Sequence, residues 1–135
     1  MTLYDEFEWR GLRYDSTDGA RDLLAGGPVT CYIGFDTTAP SLHIGSLLPI
    51  LALLRAQRFG HTPIAVVGEG TGLIGDPSGK SAERTLLTAE QAHANAAGVR
   101  AQLSRLLESP DVPNRARLVN NAEWLRPLNY LDFMR

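Results

Sequence analysis

Tyr32-Ile33-Gly34-Phe35-Asp36-Thr37-Thr38-Ala39-Pro40-Ser41-Leu42-His43-Ile44-Gly45-Ser46 reads as a strand running into a polar turn, then into a helix that opens on His43-Ile44-Gly45-Ser46. A helix start exposes backbone N–H groups and the positive end of a dipole, which suits it to hold phosphate. The His43 imidazole and the hydroxyls of Thr38 and Ser41 lie beside that start. Gly45 adds a bare stretch of backbone on which a flat base can rest.

The flanking residues extend this stretch into a fold. Val29 to Phe35 is rich in β-branched and aromatic residues and predicts a strand. Its apolar character predicts burial on both faces, as in a parallel sheet. A turn spans Asp36 to Pro40, and a helix follows to about Phe59, ended by Gly60. Pro49 leaves two starts open for that helix. With Ser46 as N-cap, Pro49 falls in the first turn, where its missing N–H costs little; a start near Leu42 makes Pro49 a bend. Ile64 to Val67 is a second, wholly apolar strand, and Gly68 to Lys80 reads as a glycine-rich loop. Thr88-Ala89-Glu90-Gln91 has the form of a capping box for a helix to about Glu108, with Val99, Leu103 and Leu106 at helical spacing and Ser109-Pro110 as its stop. Leu118-Val119 is a short strand candidate.

Upstream, Leu3 to Tyr14 predicts a short helix and a turn. Ser16-Thr17-Asp18 supplies capping side chains for a helix through Leu23 and Leu24, ended by Gly26-Gly27-Pro28. Asn129 caps a further helix that reaches Arg135 within about two turns and without a stop signal, which predicts a truncated chain. The order of elements implies an α/β fold with a right-handed βαβ unit on a parallel sheet. Asp36 and Asp76 both follow apolar strands, so both are expected at the carboxyl edge, where open α/β sheets bind ligands.

At 135 residues the chain predicts one domain, with 44 % hydrophobic and 21 % charged residues. A net charge of -2 argues against a whole-surface nucleic-acid binder while leaving room for a local basic patch. The longest apolar run, Leu47 to Leu54, is too short to span a bilayer, and the acidic start Met1 to Glu6 lacks a signal-peptide pattern. Cys31 is the only cysteine, which removes internal disulfides and cysteine metal cages and fits a reducing, cytoplasmic setting. His61 and His93 lack metal-ligand spacing with His43 or each other, so no metal site is expected from the histidines. Lys80 is the only lysine; the other 12 basic residues are arginines.

Two further glycine patterns fail on context. Gly70-Thr71-Gly72-Leu73-Ile74-Gly75 matches G-x-G-x-x-G after a strand. However, Asp76-Pro77-Ser78-Gly79 breaks the helix that should follow, and no acid-ended strand comes about 20 residues later. Gly79-Lys80-Ser81 lacks the glycine five positions earlier that a phosphate-wrapping P-loop needs, since Ile74 stands there.

Tyr32-x-Gly34-Phe35-Asp36-x-Thr38-Ala39-x-Ser41-Leu42-His43-Ile44-Gly45, with Gly72-Leu73-Ile74-Gly75-Asp76-Pro77-Ser78-Gly79-Lys80 and Glu83-Arg84, resembles the bacterial tyrosyl-tRNA synthetases. Trp9-Arg10-Gly11-Leu12 and Asn120-Asn121-x-x-Trp124 fit the same family, so the resemblance covers nearly the whole chain. It implies a Rossmann-like catalytic domain of class I, of which residues 1–135 form the first part. By the same resemblance the second catalytic half and the anticodon-binding domain are expected to lie outside these residues. It also implies activation of L-tyrosine with ATP and Mg²⁺, transfer of the tyrosyl group to tRNA(Tyr), a homodimer, a cytoplasmic location and no membrane.

By the same resemblance, Thr38 and His43 grip the leaving phosphates, and Gly34, Gly45 and Ser46 belong to the nucleotide site. Tyr32 bonds the substrate phenol, Asp76 the substrate ammonium, and Asp36 lies beside both substrates. Lys80 and Arg84 reach the pyrophosphate from a basic loop. Bland readings stand beside these: Tyr32 as core filler, Asp36 and Asp76 as turn formers, Lys80 and Arg84 as solvated charges. Ser46 stands where many relatives carry a second histidine, Thr37 replaces a frequent proline, and Ile33 a frequent cysteine. The lysine-rich second signature loop of the family is missing. A nucleotide- or tRNA-binding module without catalysis, and a nicotinamide oxidoreductase suggested only by Gly70 to Gly75, are the competing functions.

Overall fold

Two apolar runs of equal length pair in parallel. β1 (Thr30–Asp36) lies beside β2 (Thr62–Gly68), with Thr30 opposite Thr62 and Asp36 opposite Gly68. β3 (Arg117–Asn120) pairs in parallel with the other edge of β2, giving the order β1-β2-β3. Parallel neighbours need long crossovers, and helices supply them here. The computed structural model describes residues 1–74, 87–108 and 112–135. The sequence-based α/β fold with a parallel sheet is what these residues form.

The β1-to-β2 crossover carries α3 (Leu47–Arg58), and the β2-to-β3 crossover carries α5 (Ala89–Leu107). Both long helices pack on one face of the sheet. Ile50 and Leu53 of α3 and Val99, Leu103 and Leu107 of α5 enclose Phe35, Ala65 and Val67 in a single buried cluster. Before β1 come α1 (Leu3–Trp9) and α2 (Ala20–Ala25). α1 docks on α3 through the buried carboxylate of Glu6, which pairs with Arg10 at 2.5 Å and Arg55 at 3.8 Å. Short helices α4 (Glu69–Ile74), α6 (Ala122–Leu125) and α7 (Tyr130–Phe133) complete the described elements. Among the described residues no helix is long and apolar enough to cross a membrane.

Of the two starts left open for α3, the structure takes the one at Ser46, so Pro49 sits in the first helical turn, where a missing N–H costs little. Other local signals act as expected. Thr88 and Gln91 form the capping box that starts α5. Asn129 accepts from the Leu131 amide at the start of α7. α3 ends in a Schellman motif: Gly60, at φ 87°, donates to the Gln57 carbonyl and His61 to that of Ala56.

Three expectations change. Among the described residues β1 is covered on one face only, not buried on both. Cys31, Ile33 and Phe35 turn toward the helices, while Tyr32, Gly34 and Asp36 are exposed on the opposite face. Successive strand residues alternate faces, and α3 and α5 cover only one of them. The start of the expected glycine loop is instead helix α4. Its glycines serve close packing: a Cβ on Gly70 would meet Asn121 and Leu125 at 3.1 Å, and one on Gly72 the Thr37 hydroxyl at 3.0 Å. Finally, α2 starts from Gly19 at φ 77° with no side-chain cap, so Ser16-Thr17-Asp18 does not supply its N-cap. The expected stop at Ser109-Pro110 lies outside the described residues.

Gly60→Ala should cost about 1–2 kcal/mol, since a Cβ is disfavoured in the left-handed region. Urea unfolding of the complete protein measures it, and an unchanged midpoint would contradict the role of Gly60 in ending α3.

Candidate functional site

Three candidate residues share one strand face because their spacing is two. Tyr32, Gly34 and Asp36 project from the face of β1 that the long helices leave uncovered, and Tyr32 is 74 % exposed. Among the described residues the Tyr32 ring lies outside the buried core. Asp36 closes the strand rather than starting the turn. Burial pushes the thiol of Cys31, on the opposite face, above its ordinary value, which suits an inert thiol.

Immediately beyond Asp36 the chain turns. Thr37 is fully buried, and its hydroxyl donates to the Gly68 carbonyl at 3.2 Å, joining the ends of β1 and β2. The Thr71 hydroxyl donates to the same carbonyl at 3.2 Å. Thr37, noted in the sequence only as a departure from a familiar proline, is thus a structural tie. Thr38 and Ser41 are exposed.

His43 is exposed and caps a short 3-10 turn, Ile44–Ser46, that leads into α3. Its Nδ1 accepts the Gly45 N–H at 3.0 Å. A neutral imidazole that accepts at Nδ1 carries its proton on Nε2, so the outer nitrogen is a donor. Gly45 makes this possible: a Cβ there would lie 2.8 Å from His43 Cε1 and 2.9 Å from Nδ1. Capping thus occupies one nitrogen of the ring and leaves the other as a donor. Ser46 makes no capping bond with its side chain. A groove of about 430 Å³ runs beside His43, between Leu42, Ile44 and Leu47 on one side and Gln102, Arg105 and Leu106 on the other. Most of this lining is aliphatic, so the groove is no phosphate pocket in itself.

At the carboxyl end of β2 lies a carboxylate that the sequence reading missed. Glu69 is buried and accepts from Asn120 at 2.5 Å and Arg126 at 2.8 Å, with His93 Nδ1 at 3.5 Å. The signal was present, since an acid directly after an apolar strand is the pattern that singled out Asp36. Asn121 binds α4 from β3's end: its Oδ1 accepts the Gly70 N–H at 2.7 Å, and its Nδ2 donates to Thr71 Oγ1 at 3.0 Å. His61 is buried, and its Nδ1 accepts the Val29 N–H at 3.2 Å, a structural role. Asp76, Lys80 and Arg84 lie outside the described residues.

Residues 24–135 match the family described as tRNA synthetases class I (W and Y). The tyrosine–tRNA ligase of Roseiflexus castenholzii is 57 % identical over 134 residues, covering 99 % of this chain and 32 % of that protein. The tyrosine–tRNA ligase of Opitutus terrae is 51 % identical over 137 residues, covering 100 % and 32 %. The crystal structure of a C-terminally truncated mitochondrial tyrosyl-tRNA synthetase from Aspergillus nidulans superposes with a TM-score of 0.82 at 25 % identity, over 99 % of this chain and 41 % of that one. The chain spans about a third of the length of the curated relatives it matches.

The cap at His43 is testable by ¹⁵N NMR of the neutral ring in the complete protein. The expected spectrum is that of the Nε2–H tautomer, with Gly45→Ala shifting it toward a mixture. A predominant Nδ1–H form in the unsubstituted protein would remove the Gly45-to-His43 bond.

Proposed function

This chain belongs to the class I tRNA synthetases of the tryptophan and tyrosine group, and from that membership we propose that it supplies the amino-terminal part of a tyrosine-activating site. In the reaction, a carboxylate oxygen of L-tyrosine attacks the α-phosphorus of ATP and the bond to pyrophosphate breaks, leaving tyrosyl-adenylate. The tyrosyl group then passes to the 3′ end of tRNA(Tyr). ATP enters with Mg²⁺ as substrate.

The observation that best supports this reading is the split use of the His43 ring. Nδ1 is occupied by Gly45, which leaves Nε2–H as an exposed donor at the start of α3. A donor held in place before reaction stabilises charge that develops on the phosphate oxygens without having to reorganise. Thr38 adds a hydroxyl from the same turn, Gly34 and Gly45 keep the backbone bare for the nucleotide, and the Ser46 hydroxyl, which makes no capping bond, serves its ribose side. Tyr32 and Asp36 take the amino-acid side, which their shared strand face favours. Asp76 holds the substrate ammonium, and Lys80 and Arg84 close on pyrophosphate. Tyrosine is preferred over tryptophan as substrate because the relatives named above are tyrosine–tRNA ligases and because Tyr32 offers an exposed phenol to another phenol. A homodimer in the cytoplasm is part of the same proposal.

Tyrosine-dependent ATP–pyrophosphate exchange by the complete protein tests the reading. Robust exchange with tryptophan in place of tyrosine would overturn the substrate, and nucleotide binding without exchange would favour a non-catalytic module. His43→Ala should lower kcat by on the order of 10²–10³-fold, as expected for loss of one preorganised donor. The KM for tyrosine should stay nearly unchanged, and an effect confined to that KM would contradict the assigned role.

A further inference from the structure

We propose that one face of α5, formed by Asn95, Gly98 and Gln102, is a positioning clamp that sets the place of the 37–42 turn and thereby of Thr38 and His43. The proposal rests on the reading above that these two residues meet the phosphates of ATP. None of the three clamp residues belongs to the motifs that mark the site.

The clamp touches the turn at its start, middle and end. Asn95 Nδ2 donates to the Thr37 carbonyl at 2.9 Å. Gln102 Oε1 accepts the Leu42 N–H at 2.8 Å. Between them Gly98 lies against Pro40: a Cβ at position 98 would sit 2.2 Å from the Pro40 carbonyl oxygen and 3.3 Å from its carbon. No neighbouring side chain can relieve that overlap, because the atoms met are backbone. The spacing of three and four places all three residues on one helical face. The partners are 58 and 60 residues apart in the chain, so only the tertiary fold brings them together.

The platform is anchored in the core, whereas the middle of the turn is not. Ala96, Val99, Leu103 and Leu107 fix α5 in the core, each no more than 4 % exposed. Thr37 is buried and Leu42 packs against the core at the two ends of the turn, but Thr38, Ala39, Pro40 and Ser41 between them are all exposed. Hydrogen bonds at an exposed turn add little to global stability, since water offers alternatives to the free groups. Their consequence is geometric. A reacting group displaced by about 1 Å can lose on the order of 10²-fold in rate.

The test uses the complete protein with Gln102→Ala, Gln102→Glu, Asn95→Ala and Gly98→Ala. Gln102→Ala should speed amide hydrogen exchange at Leu42 by at least about tenfold while the amides of Leu53 and Val67 keep their protection. Gln102→Glu keeps an acceptor oxygen and should restore protection at Leu42. In ATP–pyrophosphate exchange, Gln102→Ala, Asn95→Ala and Gly98→Ala should lower kcat by on the order of 10–10²-fold with the KM for tyrosine unchanged. Unaltered Leu42 exchange in Gln102→Ala overturns the clamp. So does loss of protection at Leu53 and Val67 in step with Leu42, which marks general destabilisation. Wild-type kcat in both Gln102→Ala and Asn95→Ala also overturns it. Should the unsubstituted protein lack exchange activity with tyrosine, the functional reading fails and the Leu42 measurement still decides the clamp.

Discussion

The parallel pairing of β1 with β2 is the constraint on which the other features depend. Aligning Thr30–Asp36 with Thr62–Gly68 brings both strands to an end at the same level. Thr37 seals that level by donating across to the Gly68 carbonyl from a fully buried position. A parallel pair also forces the chain to travel back along the sheet before it can form the second strand. That return is α3, so the same constraint that aligns the strand ends places the start of a helix just beyond them.

Around that edge, stability and site geometry divide the labour between the two surfaces of each element. The inward residues of β1, β2, α3 and α5 share one buried cluster. The outward residues of β1 carry Tyr32, Gly34 and Asp36, and the polar face of α5 carries the groups that hold the turn. At the far side of the edge, Asn121 ties α4 to β3, while Glu69 receives Asn120 and Arg126 in a buried cluster. A carboxylate removed from water is tolerated when such donors surround it. These ties set the direction in which α4 leaves the end of β2.

Local chemistry was legible wherever neighbours in sequence are also partners in space. The Thr88–Gln91 capping box and the Asn129 cap operate within a few residues, whereas the sequence left the start of α3 open between Ser46 and Leu42. The strand-to-helix order around His43 was likewise readable from composition and turn residues. Legibility ended where partners are remote. Helix α4 arises where glycines suggested a loop, because Asn121 engages Gly70 and Thr71 from about 50 residues away. Glu69 escaped notice although it follows a strand as Asp36 does, because its donors come from the end of β3 and from Arg126, just after α6.

By itself the sequence determined the α/β class, the parallel order of elements and the residues of the His43 turn, because periodicity, capping and short motifs act over one or two turns of chain. It also carried the family resemblance, which the match over residues 24–135 bears out. The tertiary structure alone decided that, among the described residues, the long helices cover one face of β1 and leave Tyr32 exposed, and that Thr37 is a buried tie. It alone brought Asn95, Gly98 and Gln102 against the turn. Those outcomes depend on which surfaces meet when two long helices settle on the same side of a sheet, a choice made by packing over separations of 30 to 60 residues that no local pattern encodes.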